Sequence, residues 1–230
     1  MNNPFQPSAY DNAIPTANRN SVLRNTYLLL ALSMVPTVIG AIVGIQMQFS
    51  FFAGRPFISF MLFLGVAWGF MYAIERNKNS GLGVALLLGF TFFMGLMLSR
   101  ILQVALGFAN GAGMIVLAAG GTGAVFFTMA TIATVSKRDF SNMGKFLFVG
   151  LIVLLLAIVA NIFLQIPALA LAISAVAVLL FSAYLVYDIN RIVRGGETNY
   201  VSATLAVYLD IYNIFISLLN LIMAFTGERD

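Results

Sequence analysis

Long apolar stretches separated by short polar segments dominate the chain. Charged residues are absent from 25–54, 56–74, 79–99, 101–136 and 146–187, and Asp210 is the only charge in 198–227. About 20 apolar residues cross a bilayer as a helix, so 146–187 can hold two, with the turn at Ile166–Pro167 because proline keeps the preceding residue extended. The pattern predicts seven spanning helices at 24–46, 57–75, 82–100, 112–135, 146–164, 168–188 and 200–225.

The composition agrees with a membrane protein. Hydrophobic residues make up 61% of the 230 positions and charged residues only 9%, against about 25% charged in soluble domains. The predicted fold class is therefore an all-α integral membrane protein, a bundle of seven transmembrane helices formed by residues 21–230. Residues 1–20 are rich in Asn and Pro and lack an apolar core, so we expect them to form a flexible cytosolic tail.

Missing residue types exclude several functions. The chain contains no Cys and no His, which excludes thiol nucleophiles, Ser–His dyads and the usual zinc and haem sites. We expect no catalytic residues, no bound metal and no cofactor. The basic residues lie between the spans and form no nucleic-acid patch, so the predicted surroundings are the lipid bilayer.

The distribution of basic residues predicts the orientation. With the N-terminus in the cytosol, the inner segments carry nine basic residues and the outer segments three: Arg55, Arg100 and Arg229. Cytosolic loops are enriched in Lys and Arg, so the N-terminus is predicted inside. Seven spans then place the C-terminus outside, whereas a re-entrant last segment would return it to the cytosol.

Polar residues in the last predicted helix form one stripe. Asp210, Asn213, Ser217 and Asn220 recur at spacings of three and four, which places them on one helix face towards the bundle interior or a water-filled cavity. For the three neutral residues a structural role is favoured, because such side chains often join membrane helices. For Asp210 the functional interpretation is favoured, because an ionisable group near mid-membrane is costly.

A second carboxylate could meet Asp210. Asp188 ends the sixth predicted helix, and Arg191 three residues later is its simplest partner. The sixth and seventh helices are antiparallel neighbours joined by a short loop, so contact between Asp188 and Asp210 is also possible, and two close carboxyl groups titrate as a pair. A nearby arginine would hold the two carboxylates ionised, and Arg76 at the cytosolic end of the second helix is the candidate. Glu75 beside it is a further candidate neighbour of the pair. Positive-inside anchoring explains Arg76 as well.

Two GxxxG motifs, Gly40–Gly44 and Gly65–Gly69, lie in the first and second helices. Such motifs allow helix backbones to approach closely. Packing between helices of the same chain is the favoured interpretation, and a dimer interface is the alternative.

Four segments together resemble the Bax inhibitor 1 family, and within it the bacterial YccA-type proteins. They are 136–151 (SKRDFSNMGKFLFVGL), 159–175, 182–219 and, more loosely, 89–102. The similarity is most specific in GGETNY (195–200) and YNIF (212–215). The resemblance implies a bundle of seven helices in which the last one is central.

The resemblance also implies two alternative activities. YccA-type proteins are understood to bind the membrane protease FtsH and restrain it, with the N-terminal tail as the segment that the protease engages. Other members act as pH-sensitive calcium leaks, in which two aspartates and an arginine form the sensor. Asp188 and Asp210 fall on the aspartate positions, while register through Gly81 places Glu75 at the arginine position and Arg76 one residue later. The modulator is favoured, and Ca²⁺ would be the transported ion of the alternative.

Overall fold

The computed structural model describes residues 16–49 and 55–226. Seven α-helices follow one another along the chain, and a single 3₁₀ turn precedes the fifth. They are α1 (Thr16–Gln46), α2 (Pro56–Asn77), α3 (Gly81–Leu106), α4 (Gly111–Val135), α5 (Gly144–Leu164), α6 (Pro167–Val193) and α7 (Tyr200–Thr226). Each is long and apolar enough to cross a membrane. The predicted fold class is confirmed.

The predicted helices match the observed ones, but three of them were predicted too short at one end. The α1 helix begins at Thr16, so residues 16–20 are helical and the assignment of a tail to 1–20 was too long at this end; residues 1–15 lie outside the described ranges. Helices α3 and α6 continue past Arg100 and Asp188. A helix satisfies its own backbone hydrogen bonds, so it extends through the headgroup region and carries charged side chains there.

The last helix, α7, occupies the centre of the bundle. It packs against α1, α2, α3, α4 and α6, and among the described helices only α5 lacks direct packing with it. Its buried positions include Val201, Val207, Tyr208, Ile214 and Leu219. This central helix carries Asp210, so the carboxylate lies in the middle of the molecule.

The glycine motif of α1 makes the closest helix contact in the fold. A Cβ added to Gly40 would overlap the carbonyl oxygen of Phe92 in α3, and one added to Gly44 would overlap Ser99. From the other side, Gly95 lies equally close to the carbonyl oxygen of Thr37. Packing within the chain is therefore confirmed for Gly40 and Gly44.

The motif of α2 behaves differently. Gly65 and Gly69 are exposed, and a Cβ added to either would meet no described atom within 4 Å. The prediction that this motif packs within the chain is wrong. The α2 helix buries only Ala67 and Ile74, so its glycine face points away from the bundle.

Short polar segments join and cap the helices. Proline begins α6 at Pro167, and the amide of Ile166 donates to Oδ1 of Asn161 at 3.0 Å, which confirms the predicted turn. Oδ1 of Asn199 accepts hydrogen bonds from the amides of Val201 and Ser202 and so caps α7. Before α5, Asp139 accepts a hydrogen bond from the Ser141 amide at 2.9 Å. Hydrogen bonds from Ser141 hold the pKa of Asp139 below its usual value.

Candidate functional site

Asp188 and Asp210 are brought together by the antiparallel packing of α6 and α7. Asp188 lies five residues before the C-terminal end of α6, and Asp210 lies ten residues after the start of α7. The loop between the two helices is short, so they remain side by side from the ends that it joins. Asp210 is buried, at 4% exposure, and the side chain of Asp188 is 13% exposed.

The two carboxyl groups interact with each other directly. Each carboxyl group lies close enough to the other for the two to interact electrostatically. Oδ2 of Asp210 is buried with no hydrogen-bond partner among the described residues. The site is therefore a coupled carboxyl pair with one unsatisfied oxygen in the centre of the bundle.

An ion-pair network covers the side of the pair that faces the α6–α7 loop. Nη1 of Arg191 lies 3.9 Å from Oδ1 of Asp188, and Nη2 lies 3.7 Å from Oε2 of Glu197. The guanidinium also lies 5.6 Å from the centre of the Tyr187 ring. Arg191 thus holds Asp188 at the expected spacing of three residues, while Asp188 also contacts Asp210.

Arg76 and Glu75 lie apart from the aspartates. Arg76 is exposed, and its Nη1 donates to the hydroxyl of Tyr72 at 3.4 Å. Glu75 forms an ion pair with Lys78 at 2.9 Å, and this carboxylate raises the pKa of Lys78. The arginine that the structure places beside the carboxyl pair is Arg191.

The rest of the polar stripe faces a cavity in the half of the bundle that lies away from the α6–α7 loop. This cavity has a volume of about 440 Å³ and lies between α5, α6 and α7. Asn213, Ser217 and Asn220 form one wall of it, and Asn161 and Ser174 add polar groups from the other two helices. Asn213 is three residues beyond Asp210, so the cavity ends one helical turn from the buried carboxylate.

Asn190 is a structural residue that the sequence pattern did not indicate. This residue is 1% exposed; its Oδ1 accepts from the amide of Phe140 at 3.2 Å, and its Nδ2 donates to the carbonyl of Ala133 at 3.3 Å. It therefore fixes the loop between α4 and α5 to the end of α6. Its position two residues after Asp188 was visible in the sequence, but its partners are more than 40 residues away.

Two tyrosines of α7 were also missed. The hydroxyl of Tyr208 lies 2.9 Å from Oγ1 of Thr37, and the hydroxyl of Tyr212 donates to the carbonyl of Met94 at 3.0 Å. Both join the central helix to α1 and α3. In the sequence, only their spacing of four residues indicated that the two tyrosines share one face of the helix.

The fold and the site together define a class: a polytopic helical membrane protein with a coupled carboxyl pair in its centre. Within the described ranges, no three Asp, Glu, His or Cys side chains group closely enough to hold a metal ion. Residues 19–227 match the family model described as "Inhibitor of apoptosis-promoting Bax1". The chain belongs to this family.

Several bacterial proteins are similar to this chain over nearly its whole length. An uncharacterized protein of Neisseria meningitidis is 41% identical over 226 residues, which are 97% of this chain and 100% of the relative. The protein named "Modulator of FtsH protease YccA" of Escherichia coli strain K12 is 38% identical over 203 residues, 88% of this chain and 90% of the relative. An uncharacterized membrane protein of Vibrio cholerae is 38% identical over 207 residues, 90% of this chain and 91% of the relative.

Proposed function

We propose that this protein is a non-enzymatic component of the bacterial inner membrane that binds the FtsH protease and modulates its activity. The observation that carries the proposal is the 38% identity to the Escherichia coli protein named as a modulator of FtsH, with 88% of this chain matched. A second Escherichia coli relative is named "Inner membrane protein YccA", which supports the location.

The shape of the protein limits how such binding could occur. The described residues between helices form only short loops, so no folded domain outside the membrane is available there. Contact with a membrane protease would use the helix faces or the N-terminal segment. The tail predicted for that contact falls mostly in residues 1–15, outside the described ranges.

Co-purification tests the binding. FtsH carrying an affinity tag is expressed in membranes with the full-length protein, with a variant lacking residues 2–15, or with a variant in which those residues are scrambled. The proposal predicts that the full-length protein is recovered with FtsH and that both variants are recovered less. Absence of the full-length protein from the FtsH complex, at normal expression in the membrane, would contradict the proposal.

A pH-gated calcium or other cation leak is a second candidate, and one geometric observation favours it. The buried pair of Asp188 and Asp210 lies between the cytosolic Arg191 network and the polar outer cavity. Buried carboxylates in membrane bundles commonly mark ion or proton paths. In this candidate, Asp188 and Asp210 form the gate, and Asn213, Ser217 and Asn220 line the outer part of the path.

Flux measurements test this candidate separately. Calcium entry into proteoliposomes is recorded at about pH 6 and about pH 8, on either side of neutrality, for wild type, Asp210→Asn and Arg76→Gln. A leak gated by the pair predicts a pH-dependent flux that loses its pH dependence in Asp210→Asn and keeps it in Arg76→Gln. Flux equal to that of empty liposomes at both pH values would exclude the leak and leave the modulator proposal intact.

A further inference from the structure

Helices α1 and α4 are separated by an open seam. No Cα of α1 lies within 8 Å of a Cα of α4 in the described part of the chain. The main contact across the seam is an edge-on pair of rings, Tyr27 and Phe126, whose centres are 5.9 Å apart. Two cavities occupy the seam, one on each side of this ring pair.

The larger cavity is an apolar groove of about 610 Å³. Its walls come from α1, α3 and α4, and the rings of Tyr208 and Tyr212 in α7 form part of its lining. It runs along α1 from Tyr27 to Ile45, a length of about 27 Å at 1.5 Å per residue. The hydrocarbon core of a bilayer is about 30 Å thick, so the groove extends along nearly the whole of it.

The shape and lining of the groove suit an acyl chain, because it is long and almost entirely apolar. A flexible hydrocarbon chain is narrow enough to fill it. Both walls belong to membrane-spanning helices, so the groove is open to lipid from the side.

The smaller cavity, of about 250 Å³, lies at the cytosolic end of the same seam. Arg19, Asn20 and Leu23 of α1 line it together with Thr134 of α4 and Val193 of α6. The Nε atom of Arg19 is buried with no hydrogen-bond partner among the described residues. A buried guanidinium nitrogen without an acceptor is costly, and a phosphate oxygen would satisfy it.

The surroundings of this cavity are basic. Arg194 follows the lining residue Val193, and its guanidinium donates to the carbonyl of Lys137. Lys137 and Arg138 lie just beyond Thr134, and the acidic residues Asp139 and Glu197 follow Arg138 and Arg194 in the chain. Basic groups at the cytosolic surface attract anionic lipids.

We propose that the seam between α1 and α4 binds one anionic phospholipid of the cytosolic leaflet, with its phosphate at Arg19 and an acyl chain in the apolar groove. From Arg19 to Tyr27 is eight residues, about 12 Å along the helix, so the glycerol region lies at the level of Leu23. The chain then passes the membrane side of the Tyr27–Phe126 pair and enters the groove. This site is independent of FtsH binding and of the carboxyl pair.

Native mass spectrometry of the full-length protein in detergent tests the proposal. The protein is titrated with dioleoylphosphatidylglycerol, with dioleoylphosphatidylcholine and with inorganic phosphate. The proposal predicts one tightly bound phosphatidylglycerol, weaker phosphatidylcholine and no displacement of the lipid by phosphate. Equal binding of the two lipids would overturn the requirement for an anionic headgroup, and displacement by phosphate would reduce the site to an anion pocket.

Two matched pairs of variants locate the lipid. Arg19→Gln should weaken phosphatidylglycerol binding about fivefold, the effect of one basic residue at a membrane surface. Arg24→Gln removes the same charge from an exposed position of the same helix and should leave binding within twofold of wild type. Equal losses from both would show attraction by net charge alone and would overturn the site.

For the groove, Gly123→Phe fills space beside a residue whose Cβ position is open and should abolish the tightly bound lipid. Gly120→Phe is the control. Gly120 is an exposed residue of the same helix, and its Cβ position is also open, but it does not line the groove. Unchanged binding by Gly123→Phe would contradict occupation of the groove. Elution of each variant at the wild-type position in size-exclusion chromatography verifies that it is folded.

Discussion

At the scale of single residues, the buried polar side chains fall into two groups. Most hydroxyls donate to a carbonyl three or four residues earlier in their own helix, as Thr26, Thr122 and Ser182 do. These bonds satisfy the hydroxyl but join no helices. Asn190, Tyr208 and Tyr212 instead reach groups on other elements, so these side chains contribute to the arrangement of the bundle.

Asn190→Leu should destabilise the folded bundle by about 2 kcal/mol. The change removes three hydrogen bonds, one from the amide of Phe140 and two to the carbonyls of Ala133 and Arg138. A buried group left unsatisfied costs about 1–3 kcal/mol. Thermal unfolding in detergent, followed by size-exclusion chromatography, measures the effect. Asn142→Leu changes an exposed residue in the segment between α4 and α5 that Asn190 anchors and serves as the control. Equal midpoints for the two variants would contradict the role assigned to Asn190.

The sequence indicated Asp210 clearly but not its surroundings. A charged residue inside an otherwise uncharged segment can be recognised from the sequence alone, because placing a charge in a membrane is costly whatever its neighbours are. Its contact with Asp188 was one of two possibilities, since a short loop permits antiparallel contact without fixing the rotation of each helix. The arginine beside the pair is Arg191, a neighbour in sequence, and not Arg76.

At the scale of elements, the α1–α3 contact depends on small residues more than on apolar area. Membrane helices gain little from burying apolar side chains against each other, because lipid is equally apolar. Close backbone approach at Gly40, Gly44 and Gly95 therefore supplies the packing. The same motif in α2 has no such neighbour.

Gly40→Leu should separate α1 from α3 and destabilise the protein by about 1–3 kcal/mol, the usual effect of overpacking. The side chain would overlap the Phe92 backbone, which cannot move without shifting α3. Gly65→Leu adds the same side chain to the exposed glycine of α2 and should leave the unfolding temperature unchanged. A drop for Gly65→Leu as large as that for Gly40→Leu would show that α2 packs through its glycines.

Helix number and order were predictable because the length of an apolar stretch is set by the bilayer. The helix ends were less predictable, since a helix can carry Arg100 or Asp188 into the headgroup region without losing backbone hydrogen bonds. The difference between the two GxxxG motifs was not predictable at all. It depends on which face of α2 meets α3, and small residues occur on both buried and lipid-facing surfaces.

At the scale of the whole molecule, the central α7 connects the features described above. It carries Asp210, lines the polar cavity between α5, α6 and α7, and contributes Tyr208 and Tyr212 to the apolar groove. The cavity and the groove lie on different sides of it. Ion passage and lipid binding would therefore involve separate faces of one helix.

The distribution of basic residues predicts which ends of the bundle face the cytosol. A single cysteine in place of Ser141 should react only with a membrane-permeant maleimide in intact cells, and one in place of Asn110 should also react with an impermeant reagent. The chain contains no cysteine, so there is no background labelling from it. The reverse labelling pattern would contradict the predicted orientation, and the α6–α7 loop would then face the periplasm.

Modulation of FtsH is the central claim, and the rate of proteolysis tests it most directly. FtsH and a membrane-protein substrate are reconstituted in liposomes with increasing amounts of this protein or of the variant lacking residues 2–15. We expect degradation to slow in proportion to the full-length protein and to change less with the variant. A rate that stays constant while this protein is incorporated in excess over FtsH would contradict the account.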